Sequence, residues 1–332
     1  MESFEPYLSN LIAFVLEYWV WILGVWVGAG ALSFALTFWY IRFRLTTTGI
    51  ATAQEISSLE KLIPDSRFIE VDGARIHYVQ AGEGTDVVLL HGIGASVFIW
   101  RFLFPILQVR HRVTAFDFPG FGQSCKEPGR DYGLDAQATL IAKALESMGI
   151  EKPFLVGSSM GGAIALWMAK LWPDRFLKIA VLGPATDPTF IPPQLKIFAP
   201  TAPWFRFGLH RDLMKLLLGY VVSRREFITD DVVERYLEPF KDKGLGLRAF
   251  VASTAVLSDR RLPGSLRDLA ADVLVIWGAR DFMVKRWSIK KLMRTLPKAA
   301  LVEHPTGGHH IMEDEPAWIA KQLEIFFASL ST

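Results

Sequence analysis

The 332-residue sequence contains a single cysteine, Cys125. It therefore has no internal disulfide, which fits a reducing compartment. Its 36 Lys+Arg and 34 Asp+Glu nearly cancel, and no basic run interleaves with aromatics, so nothing points to a nucleic-acid partner. No Cys/His cluster has zinc spacing and no Gly-rich phosphate loop occurs, so the pattern calls for neither metal nor cofactor. Charge is missing altogether from Tyr18 to Ile41, and Lys and Arg are missing from Met1 to Glu17. The second absence argues against a cleaved signal peptide, whose leading region is basic and whose apolar stretch is shorter.

The uncharged stretch has the length of a membrane span. As a helix, Tyr18 to Ile41 would cover about 36 Å at ~1.5 Å per residue, against a hydrocarbon core of about 30 Å. Tyr18, Trp19 and Trp21 at one end and Phe38, Trp39 and Tyr40 at the other stand where interfacial aromatics belong. An N-terminal transmembrane helix over about 18–41 is expected. A buried core helix competes less well, since the rest of the chain accounts for a full domain. Arg42 and Arg44 follow directly, so the positive-inside rule makes this a single-pass membrane protein with its domain on the cytoplasmic face. Residues 45–66 form a polar connector in which Ile56, Leu59, Leu62 and Ile63 have the spacing of a short amphipathic helix. Such a helix suits the bilayer surface and the side of the domain equally.

From Arg67 onward, short apolar runs alternate with amphipathic ones. Phe68 to Val71 and Ile76 to Gln80, joined at Asp72-Gly73, read as an antiparallel hairpin. Strand-like runs Val87 to Leu90, Val113 to Phe116, Pro153 to Val156, Ile179 to Leu182, Val273 to Trp277 and Ala300 to Glu303 alternate with helical stretches such as Leu134 to Met148, Met160 to Trp172 and Ser288 to Leu296. This rhythm predicts an α/β fold, a mostly parallel sheet with helices on both faces. Residues 67–184 and 270–332 form its two parts. Between them, 185–269 breaks the rhythm.

Chemistry concentrates in the turns after the strands. Gly157, Ser159 and Gly161 make a Gly-x-Ser-x-Gly between a strand and a helix, the setting of a nucleophile elbow that pushes the Ser159 hydroxyl into a cavity. A serine needs a base to take its proton and an acid to orient that base. Asp281 follows the Val273 to Trp277 strand as the candidate acid, and His309, in the loop Pro305 to His310, is the candidate base. His91-Gly92-Ile93-Gly94 follows another strand, so the N–H groups of Ile93 and Met160 are candidate oxyanion donors.

These motifs, His-Gly, Gly-x-Ser-Met-Gly-Gly, Trp-Gly-x-x-Asp and Gly-His in that order, resemble the α/β-hydrolase superfamily over roughly Arg67 to the C-terminus. Within it they are most similar to membrane-anchored monoacylglycerol lipases and esterases. The resemblance implies Ser159 as nucleophile, Asp281 as acid, His309 as base and an oxyanion hole at Ile93 and Met160. It also implies a helical cap at 185–269. There Trp204, Phe205 and Phe207 are candidate substrate-binding residues, with the cap's own core as their alternative place. The acidic run Glu313-Asp314-Glu315 before Pro316 blurs the match to the last helix by a residue. Haloalkane dehalogenases and epoxide hydrolases of this superfamily carry an aspartate nucleophile, which Ser159 argues against.

Competitors remain beside each assignment. Ser158 lacks glycine at both plus and minus two. His310 competes with His309, though the spacing to Pro316 favours the latter. Asp187, after the Ile179 to Leu182 strand, competes with Asp281, because some members draw their acid from there. His91 suits a brace for its own loop, and Asp117 suits fixing its own turn. The resulting expectation is a membrane-anchored serine hydrolase of lipid-like carboxylic esters. The alternatives are a carbon–carbon bond hydrolase of ring-cleavage products and a non-catalytic receptor on the same fold.

Overall fold

The computed structural model describes residues 63–190, 210–242 and 244–329. All belong to the second of the chain's two units, residues 50–332. The expected span at 18–41, the connector up to Leu62 and the cap candidates Trp204, Phe205 and Phe207 lie outside the described residues. Among the described residues no helix is long and apolar enough to cross a membrane.

Eight strands form one sheet in the order β1-β2-β4-β3-β5-β6-β7-β8. The first hairpin pairs β1 (Arg67–Val71) with β2 (Ala74–Ala81) in antiparallel register. Its two-residue turn places Asp72 at φ 47° and Gly73 at φ 71°, the doubly left-handed geometry that Asp-Gly supplies at low cost. β2 lies antiparallel to β4 (His111–Phe116). From there the sheet is parallel through β3 (Thr85–Leu90), β5 (Phe154–Ser158), β6 (Ile179–Leu182), β7 (Val273–Gly278) and β8 (Ala299–His304).

A parallel strand must be apolar on both faces because helices cover both, and β3 shows it directly. Val88 and Leu90 join one core while Val87 and Leu89 join the other. The first core takes the inner faces of α1 (Leu134–Ser147) and α2 (Met160–Leu171). Between β6 and β7 the described elements are helical, with α3 (Arg211–Val221), α4 (Asp230–Leu237) and α5 (Leu245–Leu257) the longest. Beyond β7, α6 (Arg286–Thr295) adds to the first core, and α7 (Pro316–Ala328) covers the opposite face. The helix expected from Ser288 begins two residues earlier, because Lys285 is extended (ψ 150°) and so caps it.

Parallel strands all deliver their C-terminal ends to one edge of the sheet. The turns after β3, β5, β6, β7 and β8 therefore converge there.

Candidate active site

Ser159 directly follows β5 and is the N-cap of α2, with φ 51° and ψ −114°, one of two non-glycine residues at positive φ among those described. A serine held there, at a cost of order 1–3 kcal/mol, requires a surrounding that over-determines it. The flanking glycines supply the room. A Cβ on Gly157 would stand 2.3 Å from the Gly161 carbonyl oxygen, and one on Gly161 would stand 2.2 Å from that of Leu90. Both separations are far inside van der Waals contact. The Ser159 N–H donates to Leu182 O (2.9 Å), and its carbonyl accepts from Ala163 and Ala185 (3.1 Å each). The elbow is thereby tied to β6 and to the turn that follows it.

The base and acid candidates meet directly. His309 Nδ1 lies 2.8 Å from Asp281 Oδ2, and both residues are 5% exposed. Asp281 Oδ1 accepts the N–H groups of Met283 (2.7 Å) and Val284 (2.8 Å). With both carboxylate oxygens so engaged, Oδ2 receives the Nδ1 proton and Nε2 is left as the acceptor. Gly183, at φ 49°, joins this pair to the elbow: a Cβ there would lie 3.0 Å from Asp281 Oδ2 and 3.3 Å from His309 Nδ1. Among the described residues no hydrogen bond joins Ser159 to His309. Gly183 directly follows Leu182, which accepts the Ser159 N–H, so this turn adjoins both the elbow and the His309–Asp281 pair, and a nucleophile–base hydrogen bond is often long until substrate binds.

The rival residues are occupied elsewhere. His310 Nδ1 faces Glu313 Oε2 (2.7 Å) and the Tyr236 hydroxyl (3.2 Å). Asp187 accepts from Thr189 and from Lys291 Nζ (2.6 Å). Ser158 is fully buried at the end of β5, its hydroxyl without a partner among the described residues.

The turn after β3 leans on the elbow, since a Cβ on Gly92 would lie 3.1 Å from that of Ser159. His91, fully buried, fixes the turn. Its Nε2 accepts the Phe118 N–H (3.0 Å), which leaves Nδ1 to donate to Gly92 O at 2.7 Å. Ala95 N–H reaches the same carbonyl at 3.3 Å. In a trans peptide the C=O and the next N–H point oppositely, so pinning Gly92 O turns the Ile93 N–H away from His91. That N–H has no acceptor among the described residues. Met160, the first residue of α2, has an N–H with no acceptor inside its own helix. Burial pushes the His91 imidazole below its usual pKa, against the opposing charge of Asp117.

Asp117 ties the neighbouring turns together. Its Oδ1 accepts from Val97 N–H (2.7 Å), and its Oδ2 accepts from Gln123 N–H (2.8 Å) and lies 2.7 Å from His77 Nδ1. Burial opposes the charged form, yet the hydrogen bond and charge of His77 hold this carboxyl below its ordinary value.

A buried cluster beside His309 has no counterpart in the sequence motifs. Arg101 is paired with Glu313, whose other oxygen accepts from Tyr236 (2.8 Å). Burial would raise the Glu313 pKa, but the Arg101 charge and the His310 hydrogen bond lower it to about 2. The adjacent Asp314 accepts the N–H groups of Ser223, Arg224 and Gly308, and His310 N–H donates to Val221 O at 2.7 Å. The acidic run thus binds the His309 loop to the chain that follows α3. Its one sequence signal is three consecutive acids where an amphipathic helix would put one.

Comparison with known proteins agrees with this architecture. The family model described as alpha/beta hydrolase fold matches residues 86–316. The uncharacterized hydrolase YugF of Bacillus subtilis is 31% identical over 284 residues, 81% of this chain and 99% of that protein. A 2-hydroxy-6-oxononadienedioate/2-hydroxy-6-oxononatrienedioate hydrolase of Comamonas testosteroni is 30% identical over 250 residues, 71% of this chain and 85% of that one. Among solved structures, Est816, described as an N-acyl homoserine lactone degrading enzyme, superposes with a TM-score of 0.66 at 25% identity, covering 78% of this chain and all of its own. Fold, turn geometry and similarity together show that this chain belongs to the alpha/beta hydrolase fold family.

Proposed function

We propose that the chain is a serine hydrolase of carboxylic esters, held at a membrane and acting on apolar, lipid-like substrates. The observation that supports the chemistry is the strained Ser159 elbow at one end of the turn through Gly183, with the His309 imidazole held by Asp281 against that same turn. In the reaction, His309 Nε2 takes the Ser159 hydroxyl proton as Oγ bonds to the ester carbon. The carbonyl oxygen becomes an oxyanion held by the Ile93 and Met160 N–H groups. Each such donor is worth about 2.7–4 kcal/mol to the transition state. Collapse of the adduct expels the alcohol, which takes the proton from His309, and leaves an acyl-serine. Water then gives a proton to His309, attacks the acyl carbon and releases the acid.

The substrate class rests on the uncharged stretch at 18–41 as a bilayer anchor, and on the aromatic residues Trp204, Phe205 and Phe207 of the 185–269 insertion as an apolar lining. On this reading the domain is cytoplasmic. The Comamonas relative favours a second reading, hydrolysis of a carbon–carbon bond in a dienone, on the same three residues.

Turnover of p-nitrophenyl esters, monoacylglycerols and a ring-cleavage dienone by one preparation separates the two. Ester cleavage with no dienone cleavage is the expected outcome. Dienone cleavage exceeding ester cleavage would replace the ester reading. Failure of a fluorophosphonate to label the protein would favour a non-catalytic receptor.

A further inference from the structure

Residues 280–298 carry seven Lys/Arg against one Asp, a charge of +6, whereas the 29 Lys/Arg and 33 Asp/Glu of the remaining chain give −4. The segment opens with the loop that follows Asp281 and continues as α6. That helix buries Ser288, Ile289 and Leu292 and turns its other face outward. Three large apolar side chains stand in solvent at its start: Phe282 is 60% exposed, Met283 50% and Trp287 52%. Isolated exposed apolar residues are ordinary, but three within six positions form a patch.

The basic residues divide into two groups. Arg286 is paired with Glu303 and stacks over Trp277 at 4.8 Å, and Lys291 is paired with Asp187 at 2.6 Å. These serve the domain itself. Arg280, Lys285, Lys290 and Arg294 are exposed and have no carboxylate partner among the described residues. Trp287, Lys290 and Arg294 follow at i, i+3 and i+7, hence on one face. Lys285 Nζ stands 5.5 Å from the Phe282 ring centroid, so charge and aromatic surface occupy the same small area.

We propose that this face, the 280–285 loop together with the outer side of α6, docks onto an anionic lipid surface. Exposed aromatic side chains on the same loop and helix face as cations that have no carboxylate partner among the described residues suit the headgroup boundary, where rings enter the acyl margin and each Lys or Arg gains from the negative surface potential. A nucleic acid shares the phosphate chemistry. It gives Met283 and Phe282 no apolar phase to enter, so the lipid surface is the better match. Docking here sets the turn carrying Asp281 against the bilayer and opens the strand-end edge of the sheet towards lipid. The proposal deepens the membrane part of the function proposed above, and it stands whether or not any ester is cleaved.

The test uses the full chain with Cys125→Ser, which removes the single cysteine. A new cysteine, Trp287→Cys or Glu146→Cys, then carries an environment-sensitive NBD label. Residue 146 lies exposed near the end of α1, remote from α6 in the sheet order. Each protein is reconstituted into phosphatidylcholine vesicles with or without about a third phosphatidylglycerol. In anionic vesicles the label at 287 should shift to the blue, brighten several-fold and be quenched by spin-labelled lipid. The label at 146 should stay aqueous throughout.

Adding Lys285→Glu, Lys290→Glu and Arg294→Glu should return the label at 287 to the behaviour of that at 146, as should high salt. A label at 287 as aqueous as that at 146, or equally buried in neutral vesicles, would overturn the proposal. So would masking by a poly-dT oligonucleotide in place of vesicles. Because the readout is optical, it stays separable from the outcome of the ester panel.

Discussion

Ser159→Ala should reduce ester turnover by about 10⁶ and abolish fluorophosphonate labelling, the scale on which a serine nucleophile's loss is felt when the triad acts as a unit. Alanine removes one oxygen and keeps the backbone at φ 51°, so the elbow, tied by the Leu182, Ala163 and Ala185 hydrogen bonds, should remain folded. An unchanged thermal transition checks this. The adjacent Ser158→Ala is the internal control. Its hydroxyl is sealed at the end of β5 without a partner among the described residues, so turnover and labelling should persist. Labelling that survives in Ser159→Ala would remove the elbow from the chemistry.

Asp281→Asn should lower kcat by about 10⁴. The amide is nearly the same size and can still accept from Met283 and Val284 through its oxygen, so the fold has little reason to change. What changes is the partner of His309 Nδ1. An NH₂ group now donates there, which drives the imidazole proton to Nε2 and leaves nothing to accept the serine proton. The companion variant Asp187→Asn should fall only a few-fold, because that carboxylate meets Lys291 and Thr189 and not His309. A crippled Asp187→Asn beside a mild Asp281→Asn would transfer the acid to the turn after β6.

What was legible in the sequence is what depends on near neighbours. The strand runs were readable because parallel strands must be apolar on both faces. The helix after Ser159 was readable because its glycines and apolar residues lie within one or two turns. The Gly-x-Ser-x-Gly turn was readable for the same reason at Gly157, where a Cβ would meet Gly161 and Gly162, whereas the clash at Gly161 is with Leu90 and His91, far away in sequence. The buried cluster was not legible. Arg101 and Glu313 are separated by 212 positions, and neither has a local pattern that announces burial.

Glu313 and Asp314 looked like a misaligned acidic run because exposed acids are the ordinary case. The structure instead gives each a full set of donors. His77 is similar: with no motif around it, it meets Asp117 only because β2 lies beside β4.

The imidazole of His91 makes the turn after β3 a weak point in acid, because the folded turn resists the proton that the unfolded chain accepts. In the folded protein one ring nitrogen must accept from Phe118 while the other donates to Gly92, so a second proton has nowhere to go without breaking the brace. The unfolded chain takes that proton freely near pH 6.5. Protons therefore bind the unfolded state better, and stability is lost as pH falls from about 6.5 towards the lower folded value. The loss is at most about 1.36 kcal/mol per pH unit for this one group. Urea titrations at pH 7 and pH 5.5 should show a larger loss for the natural chain than for His91→Gln, which has no proton to gain. Acidification thus weighs on the peptide that turns the Ile93 N–H away from His91.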